Sequence, residues 1–121
     1  MVICLSQAGC LMSHLIRVYI LGGRDDHELV ESDLLSWGQW LEQHSNRVAF
    51  DEIDGVNVST VFLGMCHRFP FSPGPPVVFE TMIFTDAGAR LWDRCSTWDE
   101  AVAMHARAVE AVKVKVHSGL P

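Results

Sequence analysis

"RVAFDEIDGVNVSTVFLGM", residues 47 to 65, carries the reading that decides the fold. Residues 47–53 alternate in the manner of a strand, and Asp54-Gly55 is a strong two-residue hairpin signal. Residues 56–65 then form the return strand. A proline-rich loop follows, and "VVFETMIF" (77–84) reads as a third strand of the same set. Two strands joined by a two-residue turn must run antiparallel, so the sheet grows as a meander.

Working outward, "LIRVYIL" (15–21) is β-branched and aromatic enough for a strand, closed by Gly22-Gly23. The acidic "RDDHELVE" (24–31) reads as a loop. Ser32 or Asp33 offers an N-cap, after which Leu34, Trp37, Gly38 and Leu41 fall at helical spacing, with an end near His44. "TDAGARLW" (85–92) reads as a turn of little periodicity, with Arg94 and Cys95 in a short final strand. At the other end "TWDE" places Thr97 as N-cap with Glu100 three residues on, a capping box. Ala101, Val102, His105, Ala108, Val109, Val112 and Val116 then repeat at helical spacing, and Arg107, Lys113 and Lys115 complement the helix dipole. The expected fold class is α+β: a mainly antiparallel meander packed with two helices, the longer one C-terminal.

The strands at 58–65 and 77–84 are apolar on both faces, where a sheet with one wet face should alternate. Two helices struggle to cover two faces, so a homodimer is expected.

With 121 residues, 49% of them hydrophobic, the chain has the material for one core. No apolar run approaches the roughly 18–20 residues that span a bilayer, which argues against membrane insertion. The apolar N-terminus lacks a Lys/Arg-rich leader, and the expected location is the cytoplasm. Cys4, Cys10, Cys66 and Cys95 fit no zinc spacing and read as free thiols. Net charge is −6, and residues 24–54 hold nine acids against Arg24 and Arg47. Direct nucleic-acid binding is disfavoured, because it needs clustered Lys and Arg. An acidic face could instead meet a basic protein, with Asp25, Asp26, Glu28 and Glu31 as the contact residues.

Two further groups could carry chemistry. Arg68, Phe69 and Phe71 sit in the stiff loop "RFPFSPGPP" (68–76), where little entropy is lost on docking. Cys66, His67 and Glu80 could lie together at one sheet end as a nucleophilic site, or as a metal site completed by Cys95 and His105. Against this, His67 and His105 could be hydrogen-bonded structural residues, Glu80 could pair with Arg68, and Trp37, Trp40, Trp92 and Trp98 could serve packing. No cofactor is expected: GxGxxG, Walker A, HExxH and GxSxG motifs are absent from the sequence.

The wording "VSTVFLGMCHRF…GPPVVFETMIF…CSTWDEAVAMH", with "LLSWGQWLEQHSNRVAFDEI" before it, resembles a family of small uncharacterised proteins of tailed bacteriophages and prophages. The likeness spans roughly residues 14 to 112. It implies a phage source and a host bacterial cytoplasm, and brings no activity with it. The family pattern has Asp where this chain has Cys66; His67, Glu80 and His105 match. The likeness begins near Met12, which implies that residues 1–11 are an extension upstream of the true start, non-native or disordered, with one domain over 12–121. The resulting expectation is a phage-type accessory protein that binds a host protein, as counter-defence or to redirect a host enzyme. A small hydrolase or metal-dependent enzyme using His67 and Glu80, and a minor virion or assembly component, are the alternatives.

Overall fold

The hairpin at Asp54-Gly55 starts the main sheet. In the computed structural model, which describes residues 16–23, 26–68 and 73–117, both turn residues take positive φ, 49° at Asp54 and 84° at Gly55. This pair of values suits a mirror-image turn that follows strand twist, and Asp and Gly tolerate it best. The turn joins β3 (Arg47–Ile53) to β4 (Val56–Phe62). The meander continues through β5 (Phe79–Thr85) and β6 (Gly88–Cys95), giving a four-stranded antiparallel sheet in the order β3-β4-β5-β6.

Before it come β1 (Val18–Gly22), β2 (Glu28–Ser32) and α1 (Leu34–Gln43). β1 and β2 form a separate two-stranded antiparallel sheet. Asp33 caps α1: its Oδ1 accepts from the Ser36 amide at 2.8 Å and its Oδ2 from the Ser36 hydroxyl at 2.9 Å. The long helix α2 (Trp98–His117) closes the chain. Its capping box forms as the sequence predicts, Thr97 Oγ1 accepting from the Glu100 amide at 3.1 Å and Glu100 Oε1 from the Thr97 amide at 3.0 Å.

Two segments differ from the sequence reading. Residues 28–32 form β2, where an acidic loop is expected, because pairing with β1 needs only backbone groups, and Leu29 supplies one side chain against the core. Residues 88–95 form a full strand, where a turn is expected as far as residue 92 and a short strand only at Arg94 and Cys95. A bulge opposite Thr81 and Met82 breaks the two-residue alternation of β6, which hides it from pattern reading.

α2 lies across one face of the four-stranded sheet. Ala101, Met104, His105, Ala108 and Val112 point inward at helical spacing, all buried. They meet Phe62, Phe79, Val58 and Ile83, and the two alanines let the helix approach closely. Full burial of Phe62 and Phe79 contributes about 1.5–3 kcal/mol each. The small sheet docks on the segment after β4: Tyr19 N–H donates to Gly64 O at 2.7 Å, Cys66 N–H to Arg17 O at 2.8 Å, and Trp37 Nε1 to Leu63 O at 3.1 Å. Gly64 has φ +74°, and a Cβ there would run into the Trp37 indole and the Tyr19 carbonyl, so this junction requires glycine.

Among the described residues no helix covers the opposite face of the sheet, where Phe50, Phe84 and Leu91 stand exposed by 44%, 40% and 43%. Among the described residues, no helix is long and apolar enough to cross a membrane. Residues 1–15, and with them Cys4, Cys10 and the expected N-terminal extension, lie outside the described residues.

Candidate functional site

The sequence joins Cys66, His67 and Glu80 in one cluster; the structure turns Cys66 away from the other two. Cys66 packs against the core, and His67, the next residue of an extended segment, faces outward and is exposed. Glu80 pairs with its cross-strand neighbour Arg94, Oε2 to Nε at 2.9 Å, not with Arg68. Arg68 Nε donates to the Pro75 carbonyl at 2.7 Å and so closes the proline loop on itself. His67 lies close enough to feel both charges of the Glu80–Arg94 pair. Its pKa is held below the ordinary 6.5 by partial burial first and by Arg94 second, with Glu80 opposing.

Cys95 is no better placed for chemistry, because burial pushes its thiol up to about 11, with Glu100 adding to the effect. No group of three His, Cys, Asp or Glu side chains is arranged to hold a metal ion among the described residues, so the set Cys66, His67, Cys95 and His105 does not assemble.

His105 has a different set of partners. It is 5% exposed, with Nε2 2.8 Å from Asp51 Oδ2 and Nδ1 2.7 Å from Thr60 Oγ1. Thr60 in turn bonds Thr81 on β5. With the proton on Nε2, the imidazole donates to Asp51 and accepts from Thr60, whose oxygen accepts from Thr81, and among the described residues no buried side-chain nitrogen or oxygen lacks a partner. Carboxylate, imidazole and hydroxyl stand in the order used for nucleophilic catalysis. Thr60 and Thr81 are nevertheless fully buried beneath α2, and a substrate has no approach to them. The chain of bonds ties α2 to β3, β4 and β5. Sequence pattern gives no access to it, since Asp51 and Thr60 meet His105 only through tertiary packing.

The concavity nearest the acidic residues lies elsewhere. A cleft of about 290 Å³ opens between the β1–β2 turn, the end of α1 and the start of α2, lined by Asp26, His27, Trp40, His44, Asn46, Arg47 and Trp98 among others. Its walls are aromatic pairs. His27 stacks on Trp98 with centroids 3.7 Å apart, and Trp40 on His44 at 4.6 Å. Trp40 and Trp98 also set their edges against Phe62 and Phe79, which anchors both walls to the core. Sequence pattern assigns packing roles to these tryptophans and no role to His27 or His44; nothing in their spacing marks the cleft. Asp26, Glu28 and Glu31 are exposed beside it on and before β2, which among the described residues pairs with β1 alone. Asp25, Phe69 and Phe71 lie outside the described residues. A second concavity, an apolar groove of about 910 Å³, lies at the far end of the sheet between the β-turns and the last turns of α2.

Comparison with known proteins adds no relative: no family model, no curated protein and no solved structure matches this chain.

Proposed function

We propose that this chain acts by binding a basic protein partner at the acidic edge formed by β2 and the adjoining aromatic cleft. The observation that carries the reading is the open edge of β2. Among the described residues no strand pairs with its outer side, and Glu28 and Glu31 stand exposed along it with Asp26 at its entry. An extended basic segment gains main-chain hydrogen bonds on such an edge and charge complementarity from the carboxylates. The cleft between Trp40 and Trp98 supplies an adjacent seat for one side chain. The net charge of −6 supports the same choice of partner, since it raises the encounter rate with a basic surface.

The resemblance to phage proteins supports a bacterial host as the source of that partner, and occupation of a basic, nucleic-acid-binding channel as the mode of action. Catalysis draws no support from Cys66, which packs against the core, or from Glu80, whose carboxylate is held by Arg94. The test is affinity capture from bacterial lysate with wild-type protein and with the Asp26→Asn/Glu28→Gln/Glu31→Gln variant. One dominant basic protein retained by the former and lost from the latter is expected; equal capture by both overturns the proposal.

A further inference from the structure

A second surface is separate from the β2 edge. On the side of the sheet away from α2, the register places Phe50, Ser59, Met82 and Leu91 in one row across all four strands. The row toward the Asp54-Gly55 turn is Glu52, Asn57, Phe84 and Ala89, and the row on the other side is Arg47, Val61, Glu80 and Arg94. The central row is apolar apart from Ser59, which is buried among its neighbours, and the one ion pair within this face among the described residues, Glu80–Arg94, is already made. Glu52 and Arg47, at opposite ends of β3, have no ion-pair partner among the described residues. The Arg47 guanidinium lies over the Phe50 ring at 4.6 Å, on this same face.

We propose that a second copy of this chain covers the face, sheet against sheet, about a twofold axis lying across the strands. Such an axis reverses strand direction and leaves strand order unchanged. Each central row then meets its own copy, and Glu52 of one protomer meets Arg47 of its partner, twice. An axis along the strands would instead set Arg47 against Arg94, two like charges. Charge complementarity therefore selects the first arrangement.

Four strands about 4.8 Å apart and seven residues long at about 3.3 Å each give a footprint of roughly 440 Å². Side-chain relief adds to the accessible area, which brings the pair to about 1,000 Å² in total, the lower bound for a specific interface. The dimer is accordingly reversible and dilutes apart.

Sedimentation velocity over a dilution series tests this on the full chain. The wild type is expected to move from dimer to monomer as it is diluted. Phe84→Glu and Leu91→Glu each weaken association by about tenfold or more, with the circular dichroism melt of the monomer unchanged. Glu52→Arg weakens association, and adding Arg47→Glu restores it. A wild type that is monomeric throughout, or that dimerises regardless of residues 84 and 91, overturns the interface. Failure of the double exchange to restore association overturns the axis. Phe84→Glu and Leu91→Glu lie outside both the β2 edge and the aromatic cleft, so their loss of dimerisation is readable apart from partner capture; Arg47 lines the cleft, and its exchange with Glu52 is read by sedimentation alone.

Discussion

On the α2 side of the sheet, Val58, Thr60 and Phe62 face Ile83, Thr81 and Phe79 and are all nearly or fully buried. On the opposite face Phe84 of β5, with Phe50 of β3 and Leu91 of β6, is 40% or more exposed, while Ser59 of β4 is buried in the row that Phe50 and Leu91 flank. The strands do not differ in hydrophobicity from face to face so much as in what lies opposite. The covered face had to resolve polar groups, and does so by threading Thr81, Thr60, His105 and Asp51 into one chain of hydrogen bonds. The bare face carries no such network at its centre, which leaves it free to meet a surface of its own kind.

The sharpest way to break the comparison is to truncate matched aromatics. Phe62→Ala or Phe79→Ala is expected to lower unfolding free energy by about 3–5 kcal/mol. Phe84→Ala in dilute solution should change it by less than about 0.5 kcal/mol. Urea titrations of the three variants decide the matter, and equal losses would erase the distinction between faces. Next in size is Thr60→Val, which leaves the buried Nδ1 atom of His105 without its partner and is expected to cost about 1–3 kcal/mol. Thr97→Ala removes half of the capping box under the same helix and should cost about 1 kcal/mol.

Smaller effects separate the faces by pH. His67, beside the Glu80–Arg94 pair, has its pKa depressed, so the folded protein resists protonation at that ring. Below about pH 6.5 the unfolded chain takes up the proton first, and the His67 contribution to stability declines as pH falls. Imidazole proton NMR should show its midpoint below 6.5, rising toward it in Arg94→Ala; an unmoved midpoint would remove Arg94 as a cause. Cys95, toward the core, is shifted the other way, to about 11. Its contribution is complete below the ordinary 9.0 and lost as pH rises through the folded value, so thiolate reagents at pH 8 should label it slowly relative to the same cysteine in urea.

The fold was largely readable because its deciding elements are local: the Asp54-Gly55 turn, the Thr97–Glu100 box and the spacing of Ala101, His105, Ala108 and Val112 all lie within a few residues of one another. β2 and β6 were not, because both are edge strands, one acidic and the other bulged, and neither carries a regular alternation. The apolar second face of β4 and β5 was also visible in the sequence. Where the sequence fell short was in grouping polar residues. Adjacency in the chain joined Cys66 to His67, which the extended backbone points apart, and it could not foresee Asp51 reaching His105 across the sheet. The aromatic cleft depends on three element ends meeting, which no single segment encodes.

The measurement that bears most directly on the contrast between the faces is a dilution series followed by amide and methyl NMR. Shifts that move with concentration at Ser59, Met82, Phe84 and Leu91, while Val58, Thr81 and Met104 stay fixed, are the predicted result. Shifts that stay constant at every residue, or that move on α2 instead, would contradict the account.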